Sequence, residues 1–299
     1  MKRLLLIALL ALSAGGAAAQ DYGDTPYVQT PQNVVDRMLQ LARVGPQDYV
    51  IDLGSGDGRM VITAAKKHGA RGFGVDLDRR LVALANRNAK AAGVAGRAVF
   101  YERDIYETDL APASVVTIYL LPEVNLMMRP RLLAMLKPGS RIVSHDYGMG
   151  EWQPDVGFEM EAPGKPVGRD PKSKVFYWVV PGNAAGRWRG TIAGGAAVEV
   201  DAGQMFQQLD GTVTVDGRSA PLGGGRLAGD DLQFTARIER DGGPVEYAFS
   251  GRIAGHSLAG KVRITRGGAT EEKAWEATRT ELRPTRHSLL PPPTLKPPE

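Results

Sequence analysis

The chain has 299 residues, of which 23% are charged and 43% hydrophobic, the balance of a globular protein with material for one large core or two ordinary ones. It contains no cysteine, which excludes disulfide staples, thiol catalysis and Cys-ligated metals and leaves packed cores to supply the stability. The formal charge of +4, two units of which come from Lys2 and Arg3, is small and scattered without any Lys/Arg run, and it speaks against a nucleic-acid partner.

In chain order, Lys2-Arg3 is followed by the apolar run Leu4 to Leu12, too short to span a bilayer, and by the small residues Ala17-Ala18-Ala19. This predicts a signal peptide over 1–20 and an exported, periplasmic mature chain with no transmembrane span after cleavage. Residues 21–30 read as an extended lead-in, and Thr30-Pro31 as an N-cap followed by proline at the first helical position. Val34, Val35, Met38, Leu39 and Ala42 fall on one face of the helix that follows, which Gly45-Pro46 should stop. Strand and helix then alternate. Strands are expected at Tyr49–Leu53, Gly72–Val75, Ala98–Tyr101, Ser114–Leu120 and Arg141–Ser144, with helices at Met60–Lys67, Arg79–Ala92 and Glu123–Leu136. Val156–Glu161 and Lys174–Val180 lack a helix between them and should pair antiparallel. The pattern is an α/β fold, a doubly wound, mostly parallel seven-stranded sheet over residues 21–182.

The composition changes after Pro181-Gly182. Residues 186–282 hold short β-prone runs separated by glycines and Asp-Gly turns, and Gly225-Arg226-Leu227-Ala228-Gly229 with Leu232 is echoed 26 residues later by Gly251-Arg252-Ile253-Ala254-Gly255 with Leu258. Equal strands around tight turns produce such spacing, so a small all-β barrel or sandwich is expected there. The tail, 283–299, is proline-rich and expected to be disordered.

The chemistry concentrates at Ile51-Asp52-Leu53-Gly54-Ser55-Gly56-Asp57-Gly58-Arg59, between the first strand and the next helix. The loop is G-x-G-x-G and not the dinucleotide form G-x-G-x-x-G, since position 59 is Arg. A carboxylate at Asp52 would repel a pyrophosphate and attract the ammonium of a methionine-like group. Asp76, 24 residues beyond it at the end of the second strand, can accept both ribose hydroxyls of an adenosine. Asp104 follows the third strand and can reach an adenine amino group. Each of these acidic residues alone could be a helix cap or a turn residue. Together they mark consecutive strand C-termini, where open α/β sheets bind ligands.

With these residues in view, positions 26–152 resemble the class I, seven-β-strand S-adenosylmethionine methyltransferases, and among them the lysine methyltransferases of the ATP synthase c-subunit type with their bacterial relatives. The resemblance is carried by Pro26-Tyr27-Val28-Gln29-Thr30-Pro31, Asp52 to Arg59, Gly74-Val75-Asp76-Leu77, Leu120-Leu121-Pro122, and Ser144-His145-Asp146 with Trp152. It implies S-adenosyl-L-methionine as cofactor and a lead-in that folds over it. The implied cofactor set is Tyr27, Thr30, Asp52, Gly54, Ser55, Gly56, Gly58, Asp76, Leu77 and Asp104. The second strand ends in Asp76 where that lysine branch tends to carry Glu, a change compatible with ribose binding. The C-terminal β-region and the export signal do not belong to that enzyme type.

Methyl transfer from a sulfonium is an in-line displacement that chiefly needs alignment and exclusion of water. At the fourth strand the chain reads Thr117-Ile118-Tyr119-Leu120-Leu121-Pro122, with no carboxamide to hold a planar amine, which disfavours DNA-base and glutamine acceptors. Tyr119 can line the acceptor pocket or simply pack in the core, and His145-Asp146 can serve in acid/base work or as a hydrogen-bonded turn pair. No carboxylate cluster suggests a metal. The expected function is a methyltransferase acting on a protein lysine or a small molecule; the alternative is an exported S-adenosyl-ligand-binding protein without turnover.

Overall fold

The computed structural model describes residues 27–166 and 171–291. The expected signal peptide, Pro26 and the end of the tail lie outside the described residues.

The first domain opens with helix α1 (Gln32–Leu41), whose Val34, Val35, Met38 and Leu39 are buried as their spacing requires. Pro31 and not Thr30 is its N-cap, its carbonyl accepting from the amides of Val34 and Val35. The helix also ends before Gly45, because Arg43 takes a left-handed conformation (φ 49°). Then come β1 (Tyr49–Leu53), α2 (Arg59–His68), β2 (Arg71–Asp76), α3 (Arg79–Ala91), β3 (Ala98–Glu102), β4 (Val115–Ile118), α4 (Pro122–Met135) and β5 (Arg141–His145). The pair β6 (Val156–Glu161) and β7 (Lys172–Val179) completes a seven-stranded sheet of order β3-β2-β1-β4-β5-β7-β6.

Strands β1 to β5 are parallel, while β7 runs antiparallel to both β5 and β6. β4 is buried along its whole length, as its β-branched run Val115-Val116-Thr117-Ile118 demands of a strand covered on both faces. From β1 the chain winds outward to β3 and then returns to β4 on the other side. That reversal opens a crevice at the C-terminal ends of β1 and β4.

The second domain consists of β8 (Gly186–Ile192), β9 (Ala196–Met205), β10 (Gln208–Val215), β11 (Arg218–Pro221), β12 (Gly223–Ala228), β13 (Asp231–Arg240), β14 (Gly243–Ala254), β15 (Ser257–Arg266) and β16 (Ala269–Leu282). β11 and β12 pair with opposite ends of β10 and act as two halves of one stave broken at Leu222. Each stave pairs antiparallel with the next, and β16 closes on β8. The result is an eight-staved up-and-down barrel, not a sandwich.

The internal repeat maps onto two equivalent hairpin turns. Ala228 pairs with Asp231 across Gly229-Asp230, and Ala254 with Ser257 across Gly255-His256, each glycine having a φ near 60°. A two-residue hairpin with that conformation at its first central position favours glycine there. Inside the barrel, Phe234 and Phe249 stack at 4.8 Å and Trp275 meets Phe249 edge-on at 4.9 Å. The void left beside them is about 10 Å³ and lined by Trp188, Leu209, Leu258 and other apolar side chains. That is at most one water's room in a dry setting. The barrel is packed, and its interior is not a ligand cup.

The two domains join where β7 ends, at the start of β5 and opposite the crevice end of the parallel strands. β7 ends opposite Arg141, the first residue of β5, and Gly182 donates to the Gly229 carbonyl at 2.7 Å. The anchor is Phe206, at the tip of the β9–β10 hairpin, buried and stacked on Trp152 at 5.9 Å under the Arg129 guanidinium. Arg226 and Asp155 form an ion pair alongside. The tail, expected to be disordered from residue 283, is ordered to residue 291 and includes a 3₁₀ turn at Arg286–Leu289. His287 lies flat on Phe206 at 4.9 Å and its Nδ1 accepts from the Phe206 amide. Burial pushes the His287 pKa down to about 4, so the ring stays neutral and able to accept. Phe206→Ala is expected to cost about 3 kcal/mol or more in stability. Scanning calorimetry checks this; an unchanged melting temperature would show that the ring is not an anchor.

Candidate active site

The crevice is built by the turn between β1 and α2. Gly54 and Ser55 both donate to the Val75 carbonyl (3.0 and 2.9 Å), which folds the chain sharply back over the end of β2. Gly56 has a φ of 52° and lies under the Tyr27 ring, so a Cβ added there would come within 2.4 Å of Tyr27. The close approach and the left-handed backbone together require glycine.

Arg59 holds the lead-in to this turn. Its guanidinium grips Asp57 through two nitrogens (Nη2–Oδ2 2.6 Å, Nε–Oδ1 2.9 Å) and donates through Nη1 to the Thr30 carbonyl at 2.7 Å. Thr30 then reaches across to His145, its hydroxyl 3.0 Å from Nδ1. That bond is what removes Thr30 from the capping role its sequence position suggests.

Three carboxylates face the crevice from consecutive strands. Asp52 is buried and accepts from the Thr117 hydroxyl at 2.6 Å. Burial pushes its carboxyl up to about 7 against the Thr117 hydrogen bond, and the charges of Asp76 and Asp57 add to the rise. Asp76, at the end of β2, accepts from the Gly56 amide through Oδ2 and from the Asp78 amide through Oδ1, each at 2.9 Å. Each oxygen retains a lone pair for a further donor. Asp104 follows β3 and caps a short turn by accepting from the Tyr106 amide at 2.8 Å. Leu77 stands beside Asp76 and is 71% exposed, an apolar platform at the crevice rim. A desolvated carboxylate in need of a cation, a carboxylate with lone pairs for two hydroxyls and an apolar rim fit an adenosyl ligand with a cationic amino-acid end. Every residue expected to bind the cofactor is thus found along the lead-in or the C-terminal ends of β1, β2 and β3.

The ends of β4 and β5 make the other half of the crevice. Tyr119 donates to Asp146 Oδ2 at 3.3 Å, stacks with Tyr147 at 6.3 Å and lies 4.0 Å from the His145 ring. Its phenol pKa is pushed up by burial and by the Asp146 charge. His145 is fully buried, with Nδ1 at Thr30 and Nε2 2.7 Å from the Ser173 hydroxyl. Burial pushes its pKa down, and both ring nitrogens are engaged. Asp146 has a φ of 61°; its Oδ1 accepts from the Lys174 amide at 3.0 Å and its Oδ2 meets Lys165 Nζ at 2.8 Å. The desolvation cost is outweighed by these partners, and the carboxyl stays below its usual range. Thr117, Ser173, Lys165 and Tyr147 were not legible as site residues, since nothing in their own neighbourhoods marks them. Trp152, part of the resembling motif, lies at the domain junction and not in the crevice.

The family model of the ANTKMT methyltransferase domain matches residues 52–156. A protein-lysine N-methyltransferase of Saccharolobus islandicus is 43% identical over 137 residues, 46% of this chain and 85% of that relative. This chain belongs to that family of class I S-adenosylmethionine-dependent methyltransferases. The mouse adenine nucleotide translocase lysine N-methyltransferase is 35% identical (43% of this chain, 56% of the relative), and the human lysine N-methyltransferase of the ATP synthase c-subunit 31% (44% and 55%). The chain therefore spans little more than half of these two. A Salinibacter ruber RNA methyltransferase solved with S-adenosyl-L-homocysteine is 49% identical, covering 51% of this chain and 93% of its own, with a TM-score of 0.47. The family match stops at residue 156, before the barrel begins. A binding protein without turnover gains no support from these relatives.

The methyltransferase is expected to bind its cofactor with a pH dependence set by Asp52. With a folded pKa near 7 against an ordinary value of 3.8, Asp52 of the free protein holds a proton at acid pH that it must give up if its carboxylate is to meet the ligand's ammonium. Affinity should rise from pH 5.5 to pH 7, with proton release on binding, and the unliganded fold should lose stability over about pH 4 to 7, where the unfolded carboxyl ionises while the buried one keeps its proton. Titration calorimetry in two buffers of different ionisation enthalpy measures the proton. Asp52→Asn should bind more weakly with no such release; a proton count unaltered in that variant would remove Asp52 from the ammonium site.

Proposed function

We propose that this chain methylates lysine side chains of proteins. The observation that carries the reading is the acceptor half of the crevice, where the Asp146 carboxylate accepts from the Tyr119 hydroxyl and the Tyr119 ring stacks with that of Tyr147. A carboxylate beside aromatic faces suits an aliphatic ammonium, and the end of β4 offers no carboxamide to hold a planar base. The similarity to the archaeal protein-lysine enzyme over 85% of that relative supports it.

S-adenosylmethionine supplies an electrophilic methyl group; the residues that would hold it are Asp52, Asp76, Leu77, Asp104 and the 54–58 turn. The chain's own work is to orient and to exclude water. Tyr119 and Asp146 would touch the acceptor. His145, buried with both nitrogens bonded, supports a positioning role better than acid/base work, since it props the Tyr119 ring and ties the lead-in to β5.

An acceptor that docks as the ammonium must give its proton to solvent before its nitrogen can attack the methyl group, and the ordinary lysine pKa is about 10.4. kcat/KM on a lysine-bearing protein is therefore expected to climb with pH through 7 to 9. Purified protein supplied with methyl-labelled cofactor and either envelope proteins, RNA or small-molecule extract should place the label in methyl-lysine. Label confined to RNA or to small molecules would overturn the reading.

We further propose that the mature chain is exported, on the strength of Lys2-Arg3, the short apolar run and Ala17-Ala18-Ala19. Fractionated cells should yield a periplasmic protein that lacks the signal peptide over 1–20; a cytoplasmic protein retaining Met1 would refute it.

A further inference from the structure

We infer that Asp146 is the docking point for the acceptor's ammonium group, and that Lys165 of this same chain occupies it until an acceptor displaces it. The inference rests on the lysine reading above and names the residues that would recognise that side chain.

Lys165 belongs to the hairpin between β6 and β7, and β7 begins at the crevice edge because Val175 pairs with His145. Its ammonium is 2.8 Å from Asp146 Oδ2 and donates to the Lys172 carbonyl at 2.7 Å. Both side chains of the pair are nearly buried, at 12% and 13% exposure. Lysine is rarely so covered unless a specific partner holds it. Among the described residues, other lysine ion pairs leave both partners far more open, as at Lys67–Asp36 (52% and 40%) and Lys261–Glu272 (68% and 46%). A lysine ammonium thus already sits where the acceptor half of the crevice presents its carboxylate.

The carboxylate is built to stay in place. Asp146 keeps a left-handed φ of 61°, which costs a non-glycine residue energy and persists only where neighbours enforce it. Here the Asp146 amide donates to the Lys174 carbonyl at 2.7 Å while Oδ1 takes the Lys174 amide. Asn125, fully buried on α4, donates to the Tyr147 and Gly148 carbonyls and fixes the next turn. Oδ2 faces Tyr119, His145 Nε2 at 3.6 Å and whichever ammonium is present. Tyr119 meets that oxygen through its hydroxyl, and the Tyr147 ring lies near-parallel to the Tyr119 ring at 6.3 Å. Asp146 belongs to a pre-set strand end and Lys165 to a hairpin, so exchange moves the lysine and not the carboxylate.

An internal occupant lowers apparent acceptor affinity by the fraction of time that it holds the site. Lys165→Ala should lower KM for a lysine-bearing acceptor by about three- to tenfold, with the change in KM and not in kcat. Lys165→Arg should keep KM near the parent value, and Asp146→Asn should raise it. A second readout does not require turnover. Lys165 should react slowly with an amine-acylating reagent, followed by peptide mass spectrometry, and faster when butyltrimethylammonium, a probe that cannot itself be acylated, fills the site. Melting temperatures confirm that each variant folds. The idea is overturned if the probe leaves Lys165 labelling unchanged, or if Lys165→Ala leaves KM where it was. Should no lysine protein be methylated, the labelling result still decides whether Asp146 is an ammonium site, separately from the failure of the lysine reading.

Discussion

The site depends on one charge-assisted clasp. Arg59 grips Asp57 two residues away and uses its remaining nitrogen on the Thr30 carbonyl, so a single side chain ties the lead-in, the glycine turn and the start of α2 into one unit. Both partners are largely covered, at 25% and 15% exposure, so this is not a solvated surface pair of negligible worth. A hydrogen bond to a charged group in such a setting contributes about 1.5–3 kcal/mol. The consequence is geometric: Tyr27 is held on Gly56, and Thr30 is delivered to His145. The two halves of the crevice meet through that short lead-in.

The barrel is attached where β7 ends, through α4 and the segment after β5. It has a filled interior, is attached through Phe206, Trp152 and His287, and supplies none of the crevice residues described above. Gln204 strengthens the joint: buried, it accepts from the Ala184 amide and donates to the Gly182 and Phe206 carbonyls, satisfying the backbone where the chain passes from one domain to the next. The catalytic domain keeps its crevice clear while carrying a second structured surface.

The alternating domain was legible almost strand for strand, since buried β-branched runs and amphipathic helices write their own periodicity; β1 and β6 match their expected bounds without change. The misses are local and have causes. Thr30 reads as an N-cap because threonine before proline commonly is one, but its hydroxyl bonds a histidine 115 positions away. The tail reads as disordered because proline dominates it, yet His287 and Leu290 pack on the first domain's core, a contact that no local pattern encodes. Barrel and sandwich share one alternation of inward and outward residues, and only the pairing of β16 with β8 separates them.

By itself, the sequence determined the sheet's winding, the glycine turn, and the acidic residues at the ends of β1, β2 and β3, because strand periodicity and left-handed turns depend on neighbours in the chain. Tertiary structure alone decided what those residues do to one another. It gave Asp52 its raised pKa, removed His145 from solvent and set Lys165 on Asp146. Each of these depends on burial and on partners from distant strands, and desolvation is a property of the assembled surroundings that no stretch of sequence carries.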